Sequence, residues 1–151
     1  MKLRDFCAFV EDNSRSGDCL VFYDKTKPNT HYADAGLRYK WSCAKSKKSA
    51  IIRFKPDDCG EYLERDEFVE KLQSFMRYGF DPDMKCEVVL YDQNGENPQH
   101  YLTDPMWSHV TSNKQSCFAF DNPVSPDDVN KRVLGLMRDY VVNAASLDGG
   151  C

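Results

Sequence analysis

The seven cysteines, Cys7, Cys19, Cys43, Cys59, Cys86, Cys117 and Cys151, form no C-x-x-C pair. An odd count without tight spacing argues against a disulfide framework or a zinc site and fits reduced, mostly buried thiols. Long hydrophobic runs are also missing: no stretch approaches the roughly 20 apolar residues that span a bilayer. Met1-Lys2-Leu3-Arg4-Asp5 lacks the apolar core of a signal peptide. The expected setting is cytoplasmic, with no membrane partner. The terminal Asp148-Gly149-Gly150-Cys151 is not a C-a-a-X box and reads as a frayed end.

Catalytic signatures are absent as well. There is no G-x-S-x-G, no G-x-x-x-x-G-K-[ST] and no Gly-rich dinucleotide loop. His31, His100 and His109 show no H-x-x-x-H spacing and no Cys/His cluster that would surround a metal. Asp57-Asp58 and Asp127-Asp128 sit at expected helix entries, where capping and the helix dipole account for them. A non-enzymatic protein without a cofactor follows as the expectation.

What the chain does have is order repeated along its length. Arg4-Asp5-Phe6 is matched by Arg65-Asp66-Glu67-Phe68, and Val21-Phe22-Tyr23-Asp24 by Val89-Leu90-Tyr91-Asp92. His31-Tyr32 matches His100-Tyr101, Trp41-Ser42 matches Trp107-Ser108, and Phe54 with Pro56 matches Phe120 with Pro123. The matches keep their order, and their spacing changes only in polar stretches, where loop insertions cost little. Two copies, about 1–60 and 61–124, would each be marginal alone, so the 151 residues are expected to share one core. Charge divides unevenly between them. Residues 1–60 carry 12 Lys/Arg against 8 Asp/Glu, and residues 61–151 carry 8 against 16, within a net charge of −4.

Local patterns give each copy the order α-β-β-β. Leu3, Phe6, Cys7 and Val10 recur at helical spacing, and the Ser/Gly-containing stretch from Asn13 to Gly17 ends that helix. Cys19 to Asp24 is a short apolar strand. Leu37, Tyr39, Trp41 and Cys43 then alternate with Arg38, Lys40 and Ser42, and Ala50, Ile52 and Phe54 alternate with Ile51, Arg53 and Lys55. In the second copy Phe68, Leu72, Phe75 and Met76 mark a helix over about 62–78, stopped at Gly79. Strands are expected at about 85–91, at 99–103 or 106–111, and at 116–120, with Asn94-Gly95 as a turn. Ser125, Pro126 and Asp127-Asp128 open a closing helix over about 125–145. The expected class is α+β: two α-β-β-β repeats and a closing helix, an antiparallel sheet with helices on one face, and the other face open.

On that open face Arg38, Lys40, Arg53 and Lys55 would emerge together, with Lys45, Lys47 and Lys48 in the loop at their junction. Positive charge at several points along a sheet suits a phosphate backbone, which makes these seven residues the candidate RNA contacts. Lys and Arg also decorate solvated strands simply to discourage edge pairing, so a protein partner without nucleic acid is the competing expectation. Trp41 shares parity with Leu37 and Tyr39, which places it toward the core rather than on a base-stacking platform.

The α-β-β-β-α plan resembles the small paired proteins that bind the Alu domain of signal recognition particle RNA. Asp81-Pro82-Asp83-Met84-Lys85, then Val88 to Tyr91, Asn94-Gly95 and Leu136-Met137, look like the smaller partner. Gly17 before Cys19 to Tyr23, Lys27-Pro28, and the Lys45 to Ser49 loop look like the larger one. The resemblance implies a single chain holding both halves and an RNA-gripping sheet. This chain departs from that pattern in its acidic second half and in having three helices where the pair has four.

Overall fold

The computed structural model describes residues 1–26, 38–46, 49–105, 107–121, 123–125 and 127–130. His31, Tyr32, Leu37, Lys47, Lys48, Pro126, Cys151 and the expected helix beyond residue 130 lie outside the described residues.

Helix α1, Leu3–Asp12, buries Leu3, Phe6, Cys7 and Val10, the stripe expected from their spacing. Its first N–H groups have no partner within the helix. Backbone carbonyls from a neighbouring turn take them: Leu3 N–H donates to Met84 at 2.9 Å and Arg4 N–H to Pro82 at 3.0 Å. The chain then passes through Gly17, at φ 84, into strand β1, Cys19–Asp24. Strands β2, Tyr39–Ser46, and β3, Ser49–Pro56, pair antiparallel from Tyr39↔Pro56 to Ser46↔Ser49. Helix α2, Arg65–Tyr78, buries Phe68, Val69 and Leu72.

After α2 come β4, Lys85–Leu90, β5, Gln99–Tyr101, β6, Trp107–Val110, and β7, Gln115–Phe120. Both segments expected as alternatives for one strand, 99–103 and 106–111, therefore hold strands. The Asn94-Gly95 turn forms with Gly95 at φ 74, and Asp92 organises it by accepting from the N–H groups of Asn94 and Glu96, each at 2.9 Å. The closing helix starts where expected: Ser125 Oγ accepts from Asp128 N–H at 3.2 Å, and Val129 N–H bonds Ser125 O at 3.0 Å.

The α+β class holds, but the strand pairing differs from a single antiparallel sheet. One sheet has the order β2-β3-β4-β5 and the other β1-β7-β6. β3 pairs parallel with β4, and β1 pairs parallel with β7. The physical reason for the first is α2, which carries the chain back across the sheet so that β4 runs in the same direction as β3. Each sheet thus joins a hairpin from one half of the chain to the first strand of the other half.

The two sheets and both helices contribute to one buried cluster. Phe22 of β1 stacks on Phe54 of β3 at 4.5 Å between ring centroids, and Tyr101 of β5 lies 4.7 Å from Phe120 of β7. Helix α1 packs on β7 through Phe9 and Phe118, while α2 packs on β2 and β3 through Phe68. The opposite face is open only in part, which corrects a second expectation. Val21, Tyr23, Cys117 and Ala119 form a further buried cluster on β1 and β7, and Glu87 and Val89 are buried on β4.

All described cysteines are free thiols; Cys7, Cys86 and Cys117 are buried, and Cys59 is exposed. With Cys151 changed to serine, iodoacetamide in native buffer is expected to label Cys59 first. Cys7, Cys86 and Cys117 should label only after denaturation, as read by peptide mass mapping.

Candidate nucleic-acid interface

The far face of β2 and β3 is built by alternation. Tyr39 and Trp41 turn toward α2, so Lys40 and Ser42 turn away from it. On β3, Ala50, Ile52 and Phe54 are buried, which leaves Ile51, Arg53 and Lys55 on the far side. The ladder sets these residues in rows: Lys40 lies opposite Lys55, and Ser42 opposite Arg53, followed by Val89 and His100. Tyr91 follows β4 and extends the Lys40–Lys55 row, with Lys55 Nζ 5.8 Å from its ring centre. Arg38, just before β2, lies over the Tyr62 ring at 5.5 Å. These contacts hold two long cationic side chains against aromatic faces while leaving them exposed.

Two acidic neighbours, Asp57 and Asp92, are already engaged. Asp57 Oδ1 accepts from Cys59 N–H at 2.8 Å and its Oδ2 lies 3.5 Å from Lys40 Nζ. The Cys59 N–H, together with the Lys40 charge, holds the Asp57 carboxyl below the usual carboxylate range. Asp92 is likewise held down by the Glu96 N–H and the Asn97 side chain. Past the carboxyl ends of β3 and β4 a cleft opens between Arg38, Lys55, Asp57, Asp58, Gln93 and Asn94. The crevice beyond the ends of a parallel pair is a common ligand position in sheets of this kind.

The structure brings Arg38, Lys40, Arg53 and Lys55 together, as their sequence parity requires. It separates Lys45 from them, which corrects its assignment to the same surface. Lys45 belongs to β2, on the side of Trp41 and Cys43, and its Nζ lies 3.4 Å from Gly79 O at the end of α2. Two participants escape the sequence reading. The repeat matches Tyr91 to Tyr23 without assigning it a face, although counting by twos from Glu87 and Val89 puts it beside Lys55. His100 Nδ1 lies 2.6 Å from the Glu87 carboxylate, which is buried within the apolar run of β4. That pair resembles the orienting half of a catalytic dyad, yet no hydroxyl or thiol among the described residues is hydrogen-bonded to His100.

Among the described residues no group of three or more His, Cys, Asp or Glu side chains is placed to hold a metal ion. Nor is any described helix long and apolar enough to cross a membrane. Against protein-family models, curated proteins and solved structures, the chain has no match.

Proposed function

We propose that the chain is a non-enzymatic RNA-binding protein of the cytoplasm that holds a phosphate backbone against the exposed face of β2 and β3. The observation that carries this reading is the set of four cations, Lys40, Lys55 and Arg53 in adjacent rows of one ladder and Arg38 just before its first strand, with Tyr91 at the end of a row. Cations at several points on a sheet meet successive phosphates, and an aromatic ring in the same plane offers a base a surface to stack on. The free thiols fit a reducing compartment. The resemblance to the Alu-RNA-binding pair supports the same reading.

Binding of a single-stranded RNA oligonucleotide across a salt series tests it. Each phosphate contact on a single strand contributes about −0.7 to the slope of log K against log salt. Replacing Arg38, Lys40, Arg53 and Lys55 with alanine is expected to weaken binding and flatten that slope, with unchanged far-UV circular dichroism, because these side chains lie outside the core. Tyr91→Ala should lower affinity without changing the slope. Wild-type protein with no salt-dependent affinity for RNA would overturn the proposal. A protein-contact role is the second reading, favoured by the acidic second half, 8 Lys/Arg against 16 Asp/Glu.

A further inference from the structure

Two tight turns flank the cleft beyond the carboxyl ends of β3 and β4, and each is built in the same way. In one, Gly60 N–H donates to Asp57 O at 2.9 Å and Cys59 N–H to Asp57 Oδ1 at 2.8 Å. In the other, Gly95 N–H donates to Asp92 O at 2.9 Å and Asn94 N–H to Asp92 Oδ1 at 2.9 Å. The first aspartate of each turn is thus engaged within it. The residues that follow, Asp58 in one turn and Gln93 and Asn94 in the other, stand at the corners with exposed side chains that line the cleft. Among the described residues nothing engages those three side chains. Arg38 and Lys55 line the same cleft, and both already lie on tyrosine rings, so gripping a ligand costs them less of the freedom that long side chains otherwise lose. Asp57 N–H ties the first turn to Arg38 O at 3.0 Å. Lys55 runs beside the second, where a Cβ on Gly95 would stand 2.9 Å from Lys55 Cε. The cleft measures about 590 Å³, within the range of sites that hold a molecule of nucleotide size.

We infer, on the RNA-binding reading, that this cleft takes an unpaired guanine base of the bound strand and that Asp58 selects it. Lys55 belongs both to the row of cations on the sheet and to the cleft, so a strand whose phosphates follow Arg53, Lys40 and Lys55 brings its next base to the two turns. A carboxylate on such a surface repels the backbone and favours binding only where the ligand turns donors toward it. Unpaired bases in RNA present their Watson–Crick edges to protein groups. Guanine alone offers two adjacent donors there, N1–H and the 2-amino group, which match the two oxygens of one carboxylate. Adenine and cytosine each set one amino group beside an acceptor, and uracil sets one N–H between two carbonyls, so the second oxygen would meet a lone pair. Asp57 is not available for the task, with Oδ1 on Cys59 N–H and Oδ2 3.5 Å from Lys40 Nζ. The O6 and N7 acceptors of guanine are left for the carboxamide N–H groups of Gln93 and Asn94, and the flanking phosphates for Arg38 and Lys55.

Fluorescence anisotropy tests this with the full chain and labelled oligouridine strands that carry one central guanosine, inosine, adenosine or cytidine, all at the same salt concentration. The guanosine strand is expected to bind about tenfold more tightly than the other three, the low end for a bidentate contact because the cleft is open to solvent. Inosine keeps N1–H, O6 and N7 and lacks only the 2-amino group, so it isolates the second donor that Asp58 accepts. Asp58→Ala removes both acceptor oxygens and should bring the guanosine and inosine strands to equal affinity, with unchanged far-UV circular dichroism because the side chain is exposed. Binding that ranks the four strands equally would overturn the guanine site and leave the RNA-binding reading standing, whereas a chain that binds none of them would overturn both. A guanosine preference that Asp58→Ala leaves intact would put the selecting group elsewhere and overturn the site as well.

Discussion

Phe22→Ala is expected to destabilise the protein by about 3–5 kcal/mol, the usual cost of emptying a fully buried phenylalanine site. Phe22 is 0% exposed, and its ring lies 4.5 Å from Phe54 in the other sheet and 5.3 Å from Phe118 on the neighbouring strand. Phe6 of α1 and Phe68 of α2 approach it at 6.0 and 5.9 Å. One truncation therefore removes contacts to both sheets and both helices, and the rigid rings around it cannot all move into the space. Urea denaturation followed separately by far-UV circular dichroism and tryptophan fluorescence should show both signals moving together to a lower midpoint with a similar slope. If one signal kept its wild-type midpoint, the sheets would not share one cooperative core. Tyr62→Ala is the comparison. Tyr62 is 49% exposed, and its loss should change the midpoint little.

Alternation makes the faces of β2 and β3 legible in the sequence, because a strand with one buried side shows its period directly. Trp41 toward the core and Arg53 and Lys55 away from it follow from parity alone. Helix α2 and the cap at Ser125 are equally legible, since spacing and capping chemistry are local. Pairing is not. Nothing local distinguishes a helix that opens a second copy from one that crosses between two parallel strands, and α2 crosses between the parallel strands β3 and β4. The same limit explains the buried far side of β1 and β4. Cys19 to Tyr23 and, Glu87 apart, Cys86 to Leu90 are apolar runs, the pattern of strands covered on both faces, and that pattern argues against an antiparallel sheet with one face open along its whole width. Glu87 inside such a run signals that a polar partner has to lie within reach, and His100, opposite Val89 on β5, is one.

Alkaline conditions are expected to unfold this protein through its thiols. Burial pushes Cys7 up to about 11, with the Glu11 charge adding to it, and Cys117 to about 11, with Asp18 adding. Burial alone raises Cys43 to about 12 and is the main cause that raises Cys86 further. Tyr101 is raised by burial and by its hydrogen bond to the Asp24 carboxylate. In every case the folded state holds the proton more tightly than the unfolded chain. The stabilisation is therefore complete below the ordinary thiol value of 9.0; its loss begins there for all four thiols together and is finished first at Cys7 and Cys117, as pH passes their folded-state values. Each proton difference contributes a slope of about 1.4 kcal/mol per pH unit, so four thiols together approach roughly 5 kcal/mol per unit. Against a typical stability of about 5–15 kcal/mol, that slope brings unfolding within one to three pH units above the thiol value. Urea midpoints measured in reductant from neutral pH upward should be level at first and then fall steeply. A Cys7→Ala/Cys117→Ala double variant starts less stable but should lose stability more gradually, by about 2.7 kcal/mol per pH unit less than wild type. A wild-type midpoint that stays level to about two pH units above the thiol value would mean that these cysteines meet solvent in the folded protein.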